Sequence, residues 1–192
     1  MNLNELRDEA YSIAKANGWH EEEHSDEHWI MLVITEIAEA VQADRKNLHA
    51  DIAKFNEWQG NSLPLSEETR IRRFIEDFEA YIKNTVEDEL ADIVIRCLDL
   101  AGLRNIDLSI AQVLFKSDTD PTHDLSQFDF PKIAFGMVQA LAGEEEIEAL
   151  LNGTILGIMV FCAKFGIDLD FFIRTKMNYN RLRGYKHGGK RY

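Results

Sequence analysis

The chain has 192 residues, 45% of them hydrophobic, and a formal net charge of −13. That length and apolar content suit one domain, or two small packed halves, with a substantial buried core. The acidic balance speaks against a protein that binds along DNA or RNA. With 3 prolines and abundant Leu, Ile, Ala, Glu and Lys, the composition favours helix over strand. Cys97 and Cys162 each lie in an apolar run and read as small core residues, not as a disulfide or metal pair. Nothing resembles a signal peptide, and the longest apolar run, Ile155–Ala163, is too short to cross a bilayer. A cytoplasmic protein with no membrane partner is expected.

Leu3, Leu6, Ala10, Ile13 and Ala14 recur at helical spacing and predict a helix over 3–17 that ends at Gly18. A polar stretch follows, "WHEEEHSDEH". From His28 to Lys46 a second helix is predicted, apolar over most of its circumference at first and therefore buried there. Residues 47–65 are mixed, and Gly60, Asn61 and Pro64 mark a loop. Ser66 can cap a third helix with the stripe Ile71, Phe74, Ile75, Phe78, Tyr81 and Ile82. Thr85 either starts a new helix or continues that one through "VEDELADIVIRCLDLAGL". Residues 117–130 read as a linker between possible halves 1–116 and 131–192. Helices are predicted over 131–142 and 144–164, and a last one from Asp168. No segment alternates with period two, so the expected class is all-α. "IVIRCLDLAGLRNIDLS" and "TILGIMVFCAKFGIDLD" echo each other: an apolar helix, a turn, then Ile-Asp-Leu with Asp poised as an N-cap.

Within the polar stretch, His20-Glu21-x-x-His24 matches H-E-x-x-H, the zinc-protease signature. Such a pair needs a helix packed on one side, yet residues 20–28 contain no apolar residue. The sequence offers nothing to hold His20 and His24, and a solvated acidic approach to the second helix is the simpler reading.

Glu36 and Glu39 are three apart on the second helix and follow a run of six apolar residues, Trp29 to Ile34. Glu89 and Asp92 repeat the arrangement at the mouth of another apolar helix, with Asp88 as a reserve. Ionised acids are costly to bury unless paired or metal-bound. Helices packed through these stripes would gather four carboxylates, a set that calls for cations. All-oxygen donors favour Mg²⁺ or Mn²⁺, whereas a di-iron bundle wants Glu-x-x-His pairs on facing helices. The bland alternative is a solvated face on which Glu89, Asp92 and Arg96 form surface pairs. Residues 171–192 carry seven basic and no acidic residues, leaving 14 basic and 34 acidic residues elsewhere, a balance of −20. A short basic end on an acidic body suits a small anionic ligand. Lys176, Asn180 and Arg183, at i, i+4 and i+7, share one helical face.

"ITEIAEAVQADRK" followed by "EDELADIVIRCLDLAGLRNIDL" resembles the MazG-like nucleotide pyrophosphohydrolases and their relatives, the all-α dUTPases and dCTPases. Their E-x-x-E, spacer, E-x-x-D signature maps onto Glu36, Glu39, Glu89 and Asp92. The ending "TKMNYNRLRGYKHGGKRY" resembles the family's substrate-binding end. The spacer of 49 residues is longer than in compact members, and the basic end follows the second hairpin. That layout is closer to the dimeric dUTPase type. The resemblance implies an all-α bundle of the NTP pyrophosphatase type. It implies Mg²⁺-dependent hydrolysis of a nucleoside triphosphate to monophosphate and pyrophosphate, with the four acids as metal ligands and catalytic groups. It implies phosphate and sugar contacts from Lys176, Asn180 and Arg183, and a closing lid built from Tyr185, Lys186, His187 and Lys190 with glycines 184, 188 and 189. Trp19 or Trp58 would stack on the base. Homodimers or higher homo-oligomers are usual in the family. The competing readings are a zinc hydrolase using His20 and His24, and a non-catalytic helical interaction module.

Overall fold

A computed structural model describes residues 1–57, 65–117, 130–143 and 146–189. Trp58, Lys190, the 60–64 loop signals and nearly all of the 117–130 linker lie outside them. The described residues form an all-α bundle with no strand: α1 Leu3–Ala16, α2 Asp26–Arg45, α3 Ile52–Asn56, α4 Glu67–Tyr81, α5 Val86–Arg104, α6 Ser109–Ser117, α7 Phe130–Leu141, α8 Ile147–Phe165, α9 Leu169–Leu182 and the single turn α10 Lys186–Gly189.

α5 is the hub. Leu90, Ala91, Ile93, Val94, Cys97, Leu98, Leu100 and Ala101 are all buried, so it is covered on every side, which a helix tolerates only inside a bundle. α1, α2, α8 and α9 pack directly against it, α7 packs on α2 and α8, and α6 rests on α8. Both cysteines are free and buried. α8 has the length and apolar content of a membrane span, more than its nine-residue apolar run suggested, because Leu150 and Leu151 extend the stripe; half of it is buried against its neighbours.

Local chemistry sets the boundaries. Ser66 caps α4 by accepting the Thr69 N–H, as its position predicted. Of the α4 stripe, Phe78 and Ile82 are fully buried, while Ile71 is 37% exposed. Thr85 starts a new helix: its hydroxyl oxygen accepts the Asp88 N–H at 3.3 Å, after a left-handed Asn84 with φ 62°. α3 falls inside the mixed stretch 47–65. Asp51 caps it at Lys54, and its Phe55 is buried edge-on to Phe74 and Phe171.

The two echoing segments fold alike. α5 ends at left-handed Asn105 and α8 at left-handed Gly166, with φ 54° and 69°. In each, the next N–H returns to a carbonyl five residues back: Ile106 to Ala101 and Ile167 to Cys162, both at 2.8 Å. Asp107 then accepts the Ser109 N–H, and Asp168 accepts the Phe171 N–H. A Cβ on Gly166 would touch nothing within 4 Å, so the demand for glycine there is purely conformational. Gly153, exposed inside α8, has equally open surroundings but a helical backbone. Gly166→Ala should therefore lower stability by about 1–2 kcal/mol, whereas Gly153→Ala should raise it by about 0.5–1 kcal/mol. Urea unfolding of the two variants, monitored by circular dichroism, measures both signs.

Candidate functional site

The first turn of α5 concentrates negative charge where the helix dipole is positive: Glu87, Asp88 and Glu89 all lie there. Asp88 and Glu89 are buried and Asp92, one turn on, is half-buried. α2 packs against α5 and presents Glu36, also buried. One oxygen each from Glu36, Glu89 and Asp92 lies within 4.8 Å of the others; among the described residues this is the one gathering of three His, Cys, Asp or Glu donors. Glu39 lines the same cavity but is exposed and stands outside the trio. The predicted quartet is thus three clustered acids with a fourth at the rim.

Two cations are built into the cluster. Lys176, only 6% exposed, sets its ammonium 2.9 and 2.8 Å from the two Asp88 oxygens and 2.6 Å from Asp92. Arg96 donates from Nε to Glu36 at 2.9 Å, bridging α5 to α2; it does not pair along its own helix with Asp92. Further along α5, buried Asp99 meets His20 Nε2 at 2.7 Å, and the His20 ring lies against Tyr11 and Trp29. His20 is therefore firmly held, contrary to the sequence reading, by groups on α1, α2 and α5. Residues 20–22 are turn and bend and 23–25 have no regular structure, so His20 and His24 do not share the helical face that H-E-x-x-H requires. His24 stacks on His28 at 4.1 Å.

The cations do not neutralise the cluster. Among the described residues no side chain donates a hydrogen bond to Glu89, and its carboxyl is pushed up to about 8, first by burial and then by the charges of Asp92 and Asp88. Burial, opposed by Lys176, pushes Asp88 up to about 6. Glu36 is raised by burial and by Asp92 despite Arg96. Burial pulls Lys176 down, but the Asp92 and Asp88 charges outweigh it and hold its ammonium charged. A set of oxygen donors with surplus negative charge fits a divalent cation such as Mg²⁺ or Mn²⁺.

The acids open into a cavity of about 450 Å³. α1 contributes Ala10, Ile13 and Ala14, followed by Asn17 and Trp19; α9 contributes Lys176, Met177 and Asn180, followed by Arg183. Asn180 Oδ1 is buried without a hydrogen-bond partner among the described residues, while its main-chain carbonyl accepts from Asn17 Nδ2 at 3.0 Å. Lys176, Asn180 and Arg183 all line the acid cavity, but Lys176 is bound to carboxylates, and Arg183, extended at the C-cap of α9, lies beyond the helical face that the spacing predicted. Trp19 also lines it, edge-on to His187 at 5.1 Å. Tyr185 and Lys186 do not line it. The Tyr185 hydroxyl donates to Glu21 and its ring lies on Gly18, while the Lys186 N–H donates to the Asn17 carbonyl at 2.9 Å. These two residues clasp the 17–21 turn and so hold Asn17 and Trp19 in the cavity wall. Lys83, Asn84 and Asn17 line the cavity with no sequence signal for it; Arg96, four residues after Asp92, did carry one.

No family model, curated protein or solved structure matches the chain.

Glu89 sets a pH dependence. Between its ordinary value of 4.5 and about 8, the folded state keeps a proton that the unfolded state releases. Stability from this group is therefore full below pH 4.5 and is lost as pH rises through about 8. Without divalent metal, Glu89→Gln should match wild type near pH 5 and exceed it at pH 8.5 by more than about 1 kcal/mol. Urea titrations in EDTA at the two pH values test this; equal stabilities at pH 8.5 would contradict the surplus charge.

Proposed function

We propose that this chain is a nucleoside triphosphate pyrophosphohydrolase of the MazG-like kind, cleaving its substrate to the monophosphate and pyrophosphate. One observation carries the reading: a self-repelling trio, Glu36, Glu89 and Asp92, shares a cavity with Lys176, Asn180 and Arg183. A non-catalytic module gains nothing from burying acids whose charge its own cations leave uncompensated. The sequence resemblance points the same way.

Glu36, Glu89 and Asp92 would hold Mg²⁺, or Mn²⁺. When bound, the ion supplies neutralisation of the charge on the phosphate oxygens. The remaining work belongs to side chains. Asp88 keeps Lys176 charged and extended along α5, so the ammonium stands beside the trio. Arg96 fixes the Glu36 carboxylate. Glu39, at the exposed rim, takes the proton from the attacking water. The water oxygen bonds to the α-phosphorus as the bond to the α,β-bridging oxygen breaks; the electron pair leaves with pyrophosphate. Asn17 and Asn180 offer amide groups to the nucleoside, and Trp19 a stacking face.

The test is chromatographic analysis of each common NTP and dNTP incubated with the protein in Mg²⁺ or EDTA. Monophosphate and pyrophosphate should appear in equal amounts and only with metal. Glu89→Gln should lower kcat by about 10²-fold or more. Turnover of no nucleotide, together with no Mg²⁺-dependent rise in wild-type thermal stability at pH 8.5, would defeat the proposal.

A further inference from the structure

Four Lys and Arg side chains line the cavity: Lys83, Arg96, Lys176 and Arg183. Arg96 is bound to Glu36, and Lys176 is buried between Asp88 and Asp92. Those two charges are already opposed by the acid cluster. Lys83 and Arg183 are placed differently, because both stand by one ring. The Lys83 ammonium is 5.8 Å from the Tyr179 ring centroid, and the Arg183 guanidinium is 5.4 Å from it. Tyr179 is itself fixed: its ring stacks on fully buried Phe78 at 4.2 Å, and its hydroxyl donates to Glu79 at 2.6 Å. Glu79 also takes the Lys83 ammonium at 3.3 Å. A Tyr179–Glu79 post thus gathers two positive charges on the cavity wall against one carboxylate.

The main chain aims Lys83 at this place. It sits in the turn between α4 and α5, where its N–H donates to Phe78 at 2.9 Å and Asn84 is left-handed. That turn leads straight into the helix carrying Glu89 and Asp92. A half-exposed Lys–Glu pair contributes little and is readily exchanged for a more highly charged partner.

Resting on the pyrophosphohydrolase reading, we propose that Lys83 and Arg183 together bind the terminal phosphates of the substrate, so that the site selects nucleotides by the length of their phosphate chain. Lys83 is then a specificity residue for triphosphates over monophosphates. Two adjacent cations suit the β- and γ-phosphates, which carry most of a triphosphate's charge and leave as pyrophosphate.

The test is isothermal titration in Mg²⁺ with the non-hydrolysable α,β-imido analogues of dATP, dCTP, dGTP, dTTP and dUTP, and with the corresponding monophosphates. Wild type should bind at least one analogue. Lys83→Ala and Lys83→Gln should each weaken triphosphate-analogue binding by about tenfold or more and leave monophosphate binding within about twofold. Lys83→Arg should recover most of the loss. Equal weakening for triphosphate and monophosphate would reduce Lys83 to a structural role and overturn the inference. Unchanged triphosphate binding in both neutral variants would overturn it while leaving the pyrophosphohydrolase reading intact. Failure of wild type to bind any of these analogues, their ribonucleotide counterparts or the monophosphates would remove that reading and this inference together.

Discussion

The contact between Lys176 and the first turn of α5 governs the arrangement around it. Four acids, Glu36, Asp88, Glu89 and Asp99, are buried in a bundle whose other interior positions are overwhelmingly apolar. Each would cost several kcal/mol if left ionised and alone. The chain answers with a different device at each level of α5. The helix N-terminus and the Asn84 N–H serve Asp88 together with Lys176. Arg96 serves Glu36, and His20 serves Asp99. Of these four, only Glu89 has no such partner among the described residues. An ion-pair network that stops one acid short is poor engineering for stability alone. It fits the proposed role, in which a bound cation would supply the missing charge.

The same contact explains why the architecture is closed around α5. Lys176 lies on α9, and its partners lie 84 and 88 residues earlier. For the ammonium to reach them, α9 must lie along α5, and the left-handed turn at Gly166 sends it there from α8. Phe172, Ile173 and Met177, buried on α9, supply the apolar area that holds the helix in place. Apolar packing therefore provides the energy of docking, while the ion pairs fix its register. The equivalent turn at Asn105 directs α6 onto α8, where Asn152 accepts the Ala111 N–H at 3.0 Å. Two similar turns thus brace α5 and α8 against each other, and one of them delivers a lysine to the acids.

Much of this was legible along the chain. Glu36 and Glu89 stood out because acids interrupted stripes that had to be buried, and burial is what makes an acid informative. Lys176, Asn180 and Arg183 were legible through helical spacing. Ser66, Asp168 and the Ile-Asp-Leu repeats announced their caps. What was hidden depends on contacts between distant residues. His20 looked unsupported because its support, Tyr11 and Asp99, comes from other helices. Tyr185 and Lys186 looked like a lid because glycines flank them, yet their partners are Glu21 and the Asn17 carbonyl, more than 160 residues away. The Lys83 side chain carried no signal at all, since a lysine in a turn is ordinary until the fold sets Arg183 and Tyr179 beside it.

The clasp formed by Tyr185 and Lys186 changes what the basic C-terminal end means. A tail that merely carried charge could sit anywhere near an acidic body. Here four successive residues, Lys186 to Gly189, have positive φ, a run that bends the chain back sharply over the turn after α1. His187 in that bend meets Trp19 edge-on, and both line the cavity. The left-handed bend therefore ties the segment after α9 to the turn after α1 at one wall of the site. α1 packs on α5 as α9 does, so that wall is referenced to the same helix as the carboxylates. Acid trio, amide pair and aromatic wall share one rigid reference, α5, which is the condition for holding a ligand at fixed distance from a reacting centre.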